Sequence, residues 1–148
     1  MNNLFPILMA EDNEHDVVAT KRAWKRNSIR NPLYVVSDGE ECLDYLKQRG
    51  AYSEPGSAPR PGVLLLDINM PKMDGLTALK HIRADEDLKN LPVMILTTSR
   101  ADEDRVKGYD LFVNAYIVKP VGFENFAEAI RTIDLFWQLI ELPMDLVR

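Results

Sequence analysis

The chain alternates short apolar runs with segments of helical period. Phe5-Pro6-Ile7-Leu8-Met9-Ala10, Leu33-Tyr34-Val35-Val36, Val63-Leu64-Leu65-Leu66, Pro92 to Thr98 and Ala115 to Pro120 are short, continuous and bounded by polar or turn residues. Runs of this length and evenness predict strands buried on both faces. Between them lie amphipathic stretches. The first opens at Asp12 or Asn13, either of which can cap a helix, and sets Val17, Thr20, Trp24 and Asn27 along one side. Lys21, Arg22, Lys25 and Arg26 fall largely on the other side, as a solvated face or as a face that docks a partner. A second helix is expected from Glu40 to Gln48 with Leu43 and Leu46 inward, and a third after Asp74-Gly75 with Leu76, Leu79 and Ile82 periodic. Asp102, Glu103 and Asp104 suit the first turn of a fourth, where the helix dipole favours acids. Phe126, Ile130, Ile133, Trp137 and Ile140 make one stripe of a long fifth helix starting at Phe123.

Strand followed by helix, five times over, implies a parallel sheet with helices on both faces. The expected architecture is α/β: a flavodoxin-like, doubly wound, five-stranded parallel sheet of order 2-1-3-4-5, whose ligand crevice opens between strands one and three. Residues 50–62, rich in Pro, Gly and Ser, read as a long surface loop.

Composition narrows the classes. At 148 residues the chain suits one domain, with a core over about residues 6–142 and a tail over 143–148. A net charge of -5 argues against a nucleic-acid binder. No apolar run reaches membrane-spanning length and the start lacks the pattern of a signal peptide, so a cytoplasmic protein is expected. The single cysteine, Cys42, excludes an internal disulfide and a cysteine-based metal cluster. Two histidines are too few for a His-rich metal site, and His81, next to the inward Ile82, reads as a helix surface residue.

All strands of such a sheet point their carboxyl ends at one edge. The first ends in Glu11-Asp12, the third in Asp67, the fourth in Thr97 and the fifth in Lys119. Taken singly, Asp67 is equally a turn cap or a chemical group; the four strand ends together favour chemistry. Three carboxylates in one crevice raise one another's pKa unless a cation joins them. Mg²⁺ suits such oxygen donors and shares its coordination with phosphate. A hydroxyl and an ammonium opposite would serve the remaining oxygens of a phosphoryl group. A carboxylate is an established nucleophile toward phosphorus, giving an aspartyl phosphate.

The pair Glu11-Asp12, the run Leu65-Leu66-Asp67-Ile68-Asn69-Met70-Pro71-Lys72-Met73-Asp74-Gly75, Leu96-Thr97-Thr98 and Val118-Lys119-Pro120 resemble the receiver domain of two-component response regulators. The resemblance implies Asp67 as phospho-acceptor. It implies Mg²⁺ bound by Asp12 with Glu11, by Asp67 and by the Asn69 backbone carbonyl. Thr97 and Lys119 would contact the phosphoryl oxygens, and Tyr116 would change rotamer with Thr97. It also implies a cis Lys119–Pro120 peptide. The loop at 50–62 and the ending Trp137-Gln138-Leu139-Ile140-Glu141-Leu142-Pro143 are similar to the stand-alone regulators that partner bacterial and cyanobacterial phytochrome histidine kinases.

Phe136, Trp137, Leu139, Ile140 and Leu142, with the apolar tail beyond them, exceed what one helix face against a sheet can cover. They are expected to build a homodimer, which the phytochrome-associated regulators also tend to form; the alternative is an arm folded back on its own domain. Two further functions are open to such a chain: an aspartyl-phosphate phosphohydrolase and a phosphorylation-independent protein-binding module. Dehalogenase-type phosphatases want a second Asp two residues after the nucleophile, where this chain has Asn69. A phosphorylation-independent protein-binding module would not require the full set of site residues that is present.

Overall fold

A computed structural model describes residues 4–119 and 123–139, with the side chains of Phe123 and of 136–139 outside that description. The order is β1 (Ile7–Ala10), α1 (Glu14–Arg26), β2 (Leu33–Val36), α2 (Gly39–Leu46), a 3₁₀ turn (Gly50–Tyr52), β3 (Val63–Asp67), α3 (Gly75–Ala84), β4 (Val93–Thr97), α4 (Arg100–Lys107), β5 (Ala115–Val118) and α5 (Phe123–Leu139). The strands form one parallel sheet of order β2-β1-β3-β4-β5, the flavodoxin-like arrangement expected from the alternation.

Strand alternation divides the core in two. Leu8, Ala10, Leu64, Leu66 and Ile95 face α2, α3 and α4. Ile7, Met9, Leu65, Met94 and Leu96 face α1 and α5. The stripe on α1 follows the predicted side: Thr20 and Trp24 are buried, and Val17 and Asn27 are half-buried. Trp24 donates its indole N–H to the Asn31 carbonyl at 2.8 Å, and Asn27 donates to the Ala127 carbonyl at 3.0 Å. Lys21, Arg22, Lys25 and Arg26 are exposed, and Arg26 makes a bidentate pair with Glu124 of α5. Cys42 is buried and His81 is exposed.

The segment 50–62 is less of a surface loop than its composition suggests. Ala58, Pro61 and Gly62 are buried. Side chains of α2 and the residues just after it hold the segment down: the Tyr45 hydroxyl donates to the Pro59 carbonyl at 2.8 Å and Gln48 donates to the Ala58 carbonyl at 3.0 Å. Tyr52, in the 3₁₀ turn, donates to Glu41 at 2.7 Å. Composition reports the absence of a repeating apolar face, whereas these bonds depend on where α2 and the residues just after it meet the segment. Among the described residues no helix is long and apolar enough to cross a membrane. Ile140, Leu142 and the tail 143–148 lie outside the described residues, as do the side chains of Phe136, Trp137 and Leu139 and the Lys119–Pro120 peptide.

Candidate functional site: an acid–lysine crevice

Register brings the strand ends together. Ala10 pairs with Leu66 and Asp67 with Leu96, so the residue after β1, Glu11, lies level with Asp67. Thr97 pairs with Val118, which puts Lys119 two levels further out. Continuing the alternation, Glu11, Asp67 and Lys119 belong to the α1/α5 side, and Thr97 and Tyr116 to the α2–α4 side. The long lysine stem can reach back to the level of the acids.

The carboxylates of Glu11, Asp12 and Asp67 offer oxygens that all lie within 4.8 Å of one another. Glu11 is 1% exposed and Asp67 7%, while Asp12 is exposed. The Lys119 ammonium, on a side chain 8% exposed, pairs with Glu11, with Asp16 at 2.9 Å and with Asp67 at 3.5 Å. Burial, followed by a carboxyl–carboxyl hydrogen bond with Asp67, pushes Glu11 up to about 7, against the opposing pull of Lys119. Burial works against the charge of Lys119, but Glu11 and Asp16 outweigh it and hold the ammonium above its ordinary value. One ammonium therefore does not neutralise the cluster. Three carboxylates of which two are buried, with an excess of negative charge, are a donor set that fits a hard divalent cation.

Backbone geometry keeps Asp67 in place. The Gly75 N–H donates to the Ile68 carbonyl at 2.8 Å, folding the loop after β3 back over the strand end. A Cβ at Gly75 would sit 2.1 Å from the Asp67 carbonyl oxygen, so the close approach requires glycine. Asp74 caps α3 by accepting the Thr77 N–H at 2.8 Å.

Thr97 is buried but turned along its own chain. Its hydroxyl donates to the Ser99 carbonyl at 2.9 Å and accepts the Ser99 N–H at 3.0 Å. Ser99 in turn caps α4, accepting the N–H groups of Ala101 and Asp102. Asn69 is exposed, and its side-chain amide donates to Asp102 at 2.8 Å, linking the loop after β3 to α4. Tyr116 is half-buried, with the Lys107 ammonium 4.9 Å from its ring centroid. Burial and then the charge of Glu103 raise its phenol.

Of the residues expected at the site, Glu11, Asp12, Asp67 and Lys119 converge. Thr97, Asn69 and Tyr116 line the neighbouring side and contact α4. Three participants were not expected at the site: Asp16, Ser99 and Asp102. Asn13 and Asp16 stand at the spacing of a helix cap and its reciprocal acid, in which the acid would bond the cap's own N–H. In the structure Glu11 takes that N–H at 3.2 Å, and Asp16 turns to Lys119. The cap spacing was the available signal for Asp16, and it points to a different partner.

The chain matches the response regulator receiver domain family over residues 7–131. It is 35% identical over 138 residues to the response regulator Rcp1 of Synechocystis sp., covering 93% of this chain and 92% of that one. Its fold is similar to that of the phosphorylated cyanobacterial phytochrome response regulator RcpA, with a TM-score of 0.83, 35% identity and coverage of 94% and 98% of the two chains. The Mn²⁺-bound form of Rcp1 superposes with a TM-score of 0.82 at 34% identity, covering 94% of this chain and 99% of that one. Matched along nearly its whole described length, and carrying the acids and the lysine of its crevice at the strand ends, the chain belongs to the response regulator receiver domain family.

Proposed function

We propose that this receiver accepts a phosphoryl group on Asp67 from a phosphohistidine of a sensor histidine kinase of the phytochrome type, and catalyses that transfer and the later hydrolysis itself. The observation that carries the reading is the nearly buried Asp67 carboxylate, with Glu11 and Asp12 within reach of a shared cation and Lys119 at 3.5 Å. An Asp67 oxygen attacks phosphorus, the bond from phosphorus to the imidazole nitrogen breaks, and the imidazole leaves with the electron pair. Catalysis of such a transfer is mainly positioning and charge stabilisation. Glu11, Asp12, Asp67 and the Asn69 carbonyl would hold Mg²⁺, which supplies positive charge to the phosphoryl oxygens when bound. Lys119 contributes a second positive charge, and the Thr97 hydroxyl exchanges its bond with the Ser99 carbonyl for one to a phosphoryl oxygen. That exchange draws on Ser99, the cap of α4, and is accompanied by a change of the Tyr116 rotamer, and so carries the signal to the surface. The protein works in the cytoplasm and passes the signal through protein contacts, not through nucleic acid.

Acetyl phosphate with Mg²⁺ should add the mass of one phosphate to the wild type and none to Asp67→Asn, whose amide is a poor nucleophile. A phosphate adduct on the variant would refute the assignment.

The same reading includes a homodimer through the final strand–helix face. Val118 of β5 and Leu135 of α5 are apolar and more than half exposed, which supports an interface there. Phe136, Trp137, Leu139, Ile140 and Leu142 would extend it. Sedimentation at micromolar concentration should give twice the 16.9 kDa chain mass; a monomer with and without phosphoryl donor would exclude the dimer.

A further inference from the structure

Lys119 is held by more than the residues a phosphoryl site requires. Its ammonium has three N–H donors. It donates to Glu11 and, at 2.9 Å, to Asp16, while the Asp67 oxygen stands further off at 3.5 Å. Asp16 is not one of the three acids that could share a cation. It belongs to the first turn of α1, on a backbone held twice over: its N–H donates to Asn13 at 3.1 Å and its carbonyl accepts the Thr20 hydroxyl at 2.7 Å. The helix thus presents a fixed carboxylate to a lysine 103 residues away in sequence, on the flank of the crevice away from Thr97. With two of its three N–H groups committed to Glu11 and Asp16, the ammonium offers only one to a phosphoryl group and is held toward α1.

We propose that Asp16 is a positioning residue that tethers the Lys119 ammonium toward α1, competes with the phosphoryl group for it and so slows phosphoryl transfer to Asp67. The proposal rests on Asp67 being the acceptor. Its physical basis is that positive charge aimed at the transferring phosphoryl group lowers the barrier, and a carboxylate that diverts the charge raises it. The Asp16 side chain is 32% exposed, so solvent screens the tether and keeps it reversible.

The test has two readouts. The first is the initial rate of phosphorylation by acetyl phosphate with Mg²⁺, in which an Asp67 oxygen bonds phosphorus and acetate leaves with the electron pair. Asp16→Asn, which keeps the shape and removes the charge, should react about threefold to tenfold faster, about 0.7–1.4 kcal/mol at the barrier on a scale where tenfold is about 1.4. Asp16→Glu, which restores a carboxylate, should return toward the wild-type rate. A rate in Asp16→Asn that is unchanged or slower overturns the proposal, as does failure of Asp16→Glu to reverse the gain.

The second readout needs no phosphate. The ¹⁵N signal of the Lys119 ammonium should be protected from exchange in the wild type, and should shift and lose protection in Asp16→Asn. An unmoved signal overturns the tether. If the wild type takes no phosphate at all, the acceptor reading fails, while the ammonium signal still decides whether the tether exists.

Discussion

The two flanks of the crevice are built differently. On the α1/α5 side, Glu11, Asp67 and Lys119 are almost fully enclosed and bound to one another through charge. On the α4 side, Thr97, Ser99, Asn69 and Asp102 are linked by hydrogen bonds without an ammonium, with Asn69 exposed and Ser99 and Asp102 half-exposed. Buried charge is costly to disturb, because a partner left behind remains desolvated. The neutral hydrogen bonds between Thr97 and Ser99 are cheaper to exchange, each being worth about 0.5–1.5 kcal/mol net. The acid flank is therefore suited to hold a fixed charge for chemistry, and the α4 flank to rearrange in response. Both meet at one strand edge, because parallel strands share their direction.

Three perturbations sharpen this contrast. Lys119→Ala should have the largest effect, leaving Glu11 and Asp67 buried against each other without their ammonium. The metal-free domain should lose about 2–3 kcal/mol, less than the 3–5 of a fully buried broken pair because Glu11 can take up a proton instead. Thermal unfolding with and without Mg²⁺ checks it. The cation should restore more stability to the variant than it adds to the wild type, and equal gains would mean that lysine and metal do not address the same charge.

Glu11→Gln should come next, and its sign depends on pH. The carboxyl titrates near 7 in the folded chain against an ordinary 4.5, so the folded state keeps a proton that the unfolded chain gives up. Between those values wild-type stability falls as pH rises, and the full penalty is present above 7. Gln carries no such penalty. In metal-free buffer the variant's advantage should be absent near pH 4.5 and reach about 1–2 kcal/mol above pH 7, after allowance for solvent screening. Melting temperatures across that range test this; a constant difference would place the titration elsewhere.

Thr97→Ala should have the smallest effect, about 1 kcal/mol, or about 2–4 °C of melting temperature in a domain of this size. Asp67 should still accept phosphate. Amide exchange over residues 97–107, which should change on phosphorylation of the wild type, should no longer do so. A preserved change would show that the α4 flank responds without the hydroxyl.

The fold was legible because its strands are buried on both faces. Leu64, Leu65 and Leu66 could not belong to an amphipathic element of that length, and the alternation of such runs with helical patterns leaves few architectures. The acids and the lysine were legible for a related reason: once the sheet is parallel, every strand terminus is at the same edge, whatever the distance along the chain.

Local pattern could not decide which groups meet within that edge. The spacing of Asn13 and Asp16 is a local capping pattern, yet Glu11 accepts the Asn13 N–H and Asp16 pairs with Lys119. Thr97 reads as a crevice hydroxyl, yet it bonds Ser99. The segment 50–62 reads as surface, yet Tyr45 and Gln48 draw part of it inward.

Hydrophobic period and strand direction are properties of the chain, and they set the elements, their parallel order and the residues delivered to the carboxyl edge. Packing in three dimensions chose the partners of those residues and raised the Glu11 pKa. It also divided the edge into a charged flank and a hydrogen-bonded one. Those outcomes depend on register, on which side of the sheet each side chain leaves, and on desolvation by elements distant in sequence, none of which a local pattern encodes.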